Sequence, residues 1–265
     1  MRVMNMLYVG IDLHKEKVYG IVMNENGELI KKEKFENEPE EFHKFLKNME
    51  KAIVAIESTG FATPIYDFLE ENGYETKVAH PLKTRAIAEA KIKSDKIDAK
   101  ILADLLRSDL LPSSYIPSKE IRKIRDMARH RAYMVRFRTR LKNKIHAELA
   151  KRWIKTKGNI FTKKGIEWLR GLEIKSVNRY LDVMELLNEK IKEISLEIKE
   201  KAKENEDAML LMTIPGINYY SAMFILAEIG DVKRFPDSHK LCAYAGLVPS
   251  TYQSGNKTYH GHIIK

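Results

Sequence analysis

The chain has 265 residues, 44% of them apolar, and carries a formal net charge of +10 with a pI near 9.4. That length and apolar content suit a globular protein of one large or two modest domains and exclude a disordered chain. The single cysteine, Cys242, excludes a disulfide framework or a cysteine-rich zinc site within one chain, and no charged leader or apolar run of membrane-spanning length is present. A soluble, cytoplasmic protein is predicted. The basic balance predicts a polyanionic partner, with ordinary lysine-rich solubility as the plainer alternative.

In chain order, residues 7–35 predict three strands. LYVGIDLH is a short apolar run with a polar end; KVYGIVMN and the segment Glu28 to Phe35 follow, separated by the turn Asn24-Glu25-Asn26-Gly27. Residues 39–49 have helical spacing, with Phe42, Phe45 and Leu46 on one side. AIVAIES reads as a buried strand by its unbroken apolar run. A helix over 63–72 stops at Gly73, and Thr76 to Ala79 form a short strand before Pro81. Three strands pairing as an antiparallel meander, then strands added by parallel crossovers, make an α/β domain whose element order fits an RNase H-like fold.

From Lys83 to about Asn205 the pattern is almost entirely helical, with breaks near Pro112–Pro117 and Gly158–Gly171. Tyr180, Met184, Leu187, Ile191, Ile194 and Ile198 form a heptad seam of under three heptads, which suits either packing on the same chain or dimerisation. A further compact unit starts near Met209. The predicted organisation is an α/β RNase H-like domain over 1–112, a basic helical and short coiled-coil region over 113–207, and a small, mainly α-helical domain over 208–265.

The charge is concentrated. Residues 119–155 hold 14 lysines and arginines against three acids, Glu120, Asp126 and Glu148. This surplus exceeds that of the whole chain, so the remainder is close to neutral, and a block this dense reads as an electrostatic footprint. Arg122, Arg125, Arg129, Arg136 and Arg140 recur at intervals of three, four, seven and four, predicting a continuous cationic stripe suited to phosphate contacts. Tyr133 and Phe137 interrupt it and are expected to pack into the core.

Four acids carry the predicted chemistry. Asp12 ends the first strand and Glu57 ends the AIVAIES strand; if these strands are neighbours, both carboxylates reach one sheet edge. Asp95 and Asp98 lie three apart in the helical stretch KSDKIDAKILADLL and so share a helix face. Each alone has a plain reading, as a solvated turn acid or as a helix-start acid beside Ser94. Together they would repel unless divalent cations neutralised them, and hard oxygen ligands select Mg²⁺ or Mn²⁺. Two such ions can activate a nucleophile and stabilise the leaving oxygen at a phosphodiester. Asp104 continues the same helix on a different face and is excluded from the set.

Towards the C-terminus, Ile214-Pro215-Gly216-Ile217 before an apolar helix suits a helix-hairpin-helix whose turn offers backbone N–H groups to a phosphate. A glycine turn between two packed helices is the alternative, and the motif alone favours it. Pro249 to Lys257 is polar and predicts an exposed loop holding Ser254 beside Gly255.

VGIDLHK, AIES-TG and KSDKIDAKILADLL resemble the motifs of the DEDD transposases of insertion sequences. This is the insertion sequence one-ten family, which includes the Piv/MooV DNA invertases and the bridge-RNA-guided recombinases. TIPGINYYSAMFILAEIGDVKRF and YAGLVPSTYQSGNK resemble the family's second domain, so the likeness spans nearly the whole chain. It implies a RuvC-like catalytic domain with Asp12, Glu57, Asp95 and Asp98 as the tetrad, and Ser254 as a serine that attacks DNA. It also implies structured guide RNA at the basic region and a homo-oligomer, dimer or tetramer. No base is evident beside Ser254, so activation would fall to the tetrad cations, from the same chain or another subunit. The family pattern continues beyond the point where this chain stops, at Lys265 in a basic stretch, which predicts a truncated C-terminal domain. The expected function is DNA strand cleavage and transfer. The alternatives are a RuvC-like structure-specific endonuclease without a serine intermediate, and a nucleic-acid-binding remnant.

Overall fold

The structure, a computed structural model, describes residues 6–88, 94–255 and 257–263. It separates into two compact units, residues 1–116 and 117–265. The stretch 89–93, read from sequence as helical, and the chain end at 264–265 lie outside the described residues.

In the first unit, β1 (Leu7–Leu13), β2 (Lys17–Met23) and β3 (Leu29–Glu36) form the predicted meander, followed by α1 (Pro39–Phe45), β4 (Ala52–Glu57), α2 (Ala62–Glu71), β5 (Glu75–Ala79), α3 (Pro81–Ile87) and α4 (Asp95–Arg107). The five strands make one mixed sheet in the order β3-β2-β1-β4-β5, in which β1 pairs antiparallel with β2 and parallel with β4. Asn24 closes the first turn, its Oδ1 accepting from the N–H groups of Asn26 and Glu28, while Gly27 takes φ +81.

Strand alternation divides the core between the two faces of the sheet. Val9, Ile11 and Leu13 of β1 and Val54 and Ile56 of β4 pack with Phe42, Phe45, Ile65 and Leu69 of α1 and α2. On the opposite face, Ile21 and Met23 pack on Ala99 and Ala103 of α4, and Ala55 and Ala79 pack on Leu102 and Leu106. This second layer is thin for a specific reason. A Cβ at Gly10 would stand 2.1 Å from the Ala99 carbonyl oxygen and 2.6 Å from the Ala103 nitrogen. Only glycine lets the α4 backbone lie directly on β1, and small residues on the helix complete the fit.

The second unit holds α5 (Lys119–Ala150), α6 (Lys163–Gly171), α7 (Lys175–Lys203), α8 (Glu206–Met212), α9 (Tyr219–Ile229), α10 (Ser238–Tyr244) and the antiparallel hairpin β6 (Pro249–Ser254) and β7 (Lys257–Ile263). α5 and α7 run alongside each other, joined by Leu141, Ile145, Leu149, Leu181 and Met184, with Arg131 donating to Ser195 and Arg138 to Asn188. The heptad seam therefore packs within its own chain: Met184, Ile191 and Ile198 are buried and α7 lies against α5 and α9.

Two sequence expectations are corrected here. Residues 163–171 form α6, not a break: Thr162 caps it by accepting from the Gly165 N–H. Gly165 serves close packing, since a Cβ there would stand 2.3 Å from the Ile160 carbonyl oxygen. The predicted loop over Pro249–Lys257 instead holds β6 and the start of β7, so the mainly helical C-terminal part also carries a pair of strands. Its alternation of Thr251, Tyr252 and Gln253 lacks a buried face, which is why period-two burial gave no signal.

Candidate metal centre

The register of β1 on β4 places the first two carboxylates. Ile11 stands beside Ile56, so Asp12 and Glu57 emerge next to each other at the carboxyl ends of parallel neighbours, on the face that α4 covers. α4 begins with its acids. Ser94 caps it by accepting from the Ile97 N–H, and Asp95 and Asp98 occupy the first turn, where the positive end of the helix dipole favours negative charge. The close approach at Gly10 brings that turn down onto the end of β1.

Of the four acids, Asp95 falls with Asp12 in one group that could hold a metal ion, while Glu57 and Asp98 are near enough to Asp12 to repel its charge. Asp12 is 2% exposed, and the Glu57 carboxyl group is close enough to act on it. Burial raises its pKa from 3.8 to about 6; His14 opposes the rise, while Glu57 and Asp98 add to it by repulsion. Asp12 Oδ2 is buried and has no hydrogen-bond partner. An orphaned, buried carboxylate oxygen is costly unless something else satisfies it, and a cation would. Glu57 and Asp98 also line one cleft of about 430 Å³, together with Thr84 and Arg85.

Asp95 has a cationic partner. Its carboxylate meets Lys34 Nζ at 3.1 Å, and that ammonium pulls its pKa below the usual range. Between Asp95 and Asp12 stands a residue not singled out by the sequence reading, His14, whose Nε2 is 3.3 Å from Asp95 Oδ1 and 3.3 Å from Asp12 Oδ2. Ligand atoms of Asp12, His14 and Asp95 all lie within 4.8 Å of one another, a group that could hold a metal ion. The available signal was strand periodicity: His14 is two residues from Asp12 and takes the same face. Asp104 pairs with Lys100 at 2.7 Å.

The second unit divides the arginine stripe. Arg122 Nη1 donates to the Pro117 carbonyl. Arg125 donates to the Ala227 and Glu228 carbonyls at the C-terminal end of α9, and Arg129 forms a two-pronged pair with the Glu228 carboxylate at 2.6 and 2.7 Å. Arg136 and Arg140 are exposed, so the stripe is not continuous at the surface. Tyr133 and Phe137 are also exposed, at 59% and 38%, which corrects the expectation of core packing: the residues that α5 buries are Ala128, Leu141, Ile145 and Leu149. Gly216, with φ +91, lies in the connection between α8 and α9. Ser254 ends β6, exposed, opposite Lys257 and before Gly255 at φ +57.

A mixed sheet with an acidic cluster at the carboxyl ends of two adjacent strands, completed by the first turn of an overlying helix, defines the class: an α/β protein with a carboxylate-rich centre. A family model for DEDD transposases matches residues 9–153, and a model described as transposase IS116/IS110/IS902 family matches residues 208–265. The chain belongs to the IS110 family of DEDD insertion-sequence transposases. It is 26% identical over 260 residues to the transposase for insertion sequence element IS1328 of Yersinia enterocolitica, covering 96% of this chain and 77% of that protein. It is 26% identical over 263 residues to the transposase for IS1111A of Coxiella burnetii, covering 94% and 70%, and 27% identical over 246 residues to that for IS1533 of Leptospira borgpetersenii, covering 86% and 70%. Membership implies an enzyme that uses a divalent metal. Among the described residues, no helix is long and apolar enough to cross a membrane.

Proposed function

We propose that this chain cuts and transfers DNA strands during insertion-sequence movement, using an RNase H-like centre of Asp12, Glu57, Asp95 and Asp98 that holds Mg²⁺ or Mn²⁺. The observation that carries the reading is Asp12: a buried carboxylate with one orphaned oxygen, crowded by Glu57 and Asp98, in a chain of a family that uses divalent metal. Bound cations would neutralise the cluster and activate the attacking and leaving oxygens of a phosphodiester. The reading is supported by the repulsion of Glu57 and Asp98 on Asp12 and by the approach of Asp95 to it. In this reading the sheet and α4 would hold the carboxylates before substrate arrives, so that little reorganisation accompanies the reaction.

Ser254 is the proposed nucleophile. Its oxygen forms a phosphoserine ester as the phosphate's bond to one DNA strand end breaks, and its proton ends on the departing sugar hydroxyl. A serine hydroxyl needs a base or a metal to react at neutral pH, and the carboxylate-bound cations are the proposed source. Arg136 and Arg140 are proposed to contact nucleic-acid phosphates, including those of a structured guide RNA, and the Gly216 turn to hold a further phosphate as in a helix-hairpin-helix. The protein is proposed to act in the cytoplasm, as a homo-oligomer.

The test is covalent trapping on a cleavable DNA substrate with Mg²⁺. A protein–DNA adduct should form, vanish in Ser254→Ala and fail in Asp12→Asn. Metal-dependent cutting unaffected by Ser254→Ala would instead select a structure-specific endonuclease.

A further inference from the structure

We propose that His14 is a nitrogen ligand at this centre, so that the two cation positions are chemically unlike. One is a mixed nitrogen–oxygen position made by Asp12, His14 and Asp95. The other is an all-carboxylate position made by Asp12, Glu57 and Asp98. The mixed position selects Mn²⁺ over Mg²⁺, while the carboxylate position accepts either. The inference rests on the cation-binding reading above and adds to it a ligand outside the four acids, and a selectivity.

Geometry is the first support. His14 Nε2 lies 3.3 Å from an oxygen of Asp12 and 3.3 Å from an oxygen of Asp95, and the three groups fit within 4.8 Å. Ligands about 2.1 Å from one ion stand about 3 Å apart when adjacent and about 4.2 Å apart when opposite, so this spacing suits a shared ion. The second support is the orphaned oxygen. The Asp12 side chain is 3% exposed, and the oxygen nearest His14 is the one without a hydrogen bond. The imidazole nitrogen stands at ion-pair distance from it without a hydrogen bond, an arrangement that also suits two donor atoms facing one ion. The third is the chemistry of the donors: imidazole suits transition ions, whereas Mg²⁺ favours oxygen and dehydrates reluctantly.

A plainer role for His14 would be as a counterion that, with Lys34, offsets the charge of Asp95. Mn²⁺ titration of the full chain, read by pulsed electron paramagnetic resonance, separates the two. Wild-type protein should show nitrogen modulation on bound Mn²⁺, and His14→Ala should lose it while Mn²⁺ affinity falls about 10-fold or more and Mg²⁺ affinity changes less than about 2-fold. His14→Gln, which keeps a polar side chain of similar reach, should behave as His14→Ala. His14 is more than half exposed, so neither change empties the core, and circular dichroism checks the fold. Bound Mn²⁺ without nitrogen modulation, modulation that survives both substitutions, or equal loss of Mn²⁺ and Mg²⁺ would overturn the proposal while leaving the carboxylate centre standing. Failure of wild-type protein to bind Mn²⁺ or Mg²⁺ would overturn the cation reading itself, and this inference with it.

Discussion

Asp12 and Ser254 both stand near the end of a β-strand, yet their surroundings differ in kind. Asp12 belongs to the central strand of a five-stranded sheet, with a neighbour on each side and a helix pressed on its face. Ser254 belongs to a two-stranded hairpin in which every described residue of β7 is exposed. A cluster of like charges needs a rigid, over-determined frame, because repulsion would otherwise push the groups apart. A nucleophile that must meet a large substrate gains from exposure.

The contrast can be broken most forcefully at glycine. Gly10→Ala puts a methyl group against the α4 backbone, which cannot step aside, and should cost about 2–4 kcal/mol and weaken metal binding by displacing Asp95 and Asp98. Chemical denaturation and calorimetric titration measure both effects. An unchanged stability would show that α4 does not lie as close to β1 as described.

Asp12→Asn tests the electrostatic part. Its folded-state pKa of about 6 lies above the ordinary 3.8, so the stabilisation linked to its protonated form is present below about pH 4 and is lost as the pH rises through about 6. Metal-free Asp12→Asn should therefore be about 1–3 kcal/mol more stable than wild type at pH 7 and similar to it at pH 3.5. Saturating Mg²⁺ should narrow or reverse the difference, because it stabilises only the chain that binds it. Thermal midpoints with chelator and with Mg²⁺ are the measurement, and a metal-free Asp12→Asn no more stable at pH 7 would refute the account.

A pair of arginines on α5 sharpens the comparison within the basic block. Arg125→Ala removes donors to the end of α9 and should cost about 1–2 kcal/mol of stability. Arg136→Ala should leave stability within about 0.5 kcal/mol but reduce the salt slope of nucleic-acid binding by about one unit. Denaturation curves and salt-dependent binding isotherms give the two readouts, and the opposite assignment would show that the stripe's roles are reversed. A small effect is also expected in the hairpin. Gly261→Ala makes its one close approach to the Ser250 hydroxyl oxygen, at 2.2 Å, which can rotate away, so the cost should stay below about 1 kcal/mol. A loss comparable to that of Gly10→Ala would show the hairpin to be as tightly built as the sheet.

Much of the first unit was legible from the amino-acid order alone. Apolar runs, the Asn24–Gly27 turn, the stop at Gly73 and the three-residue spacing of Asp95 and Asp98 are local signals, carried by residues within a few positions of one another. The same locality concealed His14, which a single strand offers only as a polar residue after Leu13. Tertiary structure alone decided that β1 lies beside β4, that glycine at position 10 admits α4, and that one oxygen of Asp12 is left without a hydrogen bond. It alone decided that Arg129 is engaged by a glutamate 99 residues away while Arg136 faces solvent. The period of a helix shows which residues share a face; which face is covered, and by what, depends on the packing of the whole chain, where burial and the satisfaction of polar groups outweigh local preference.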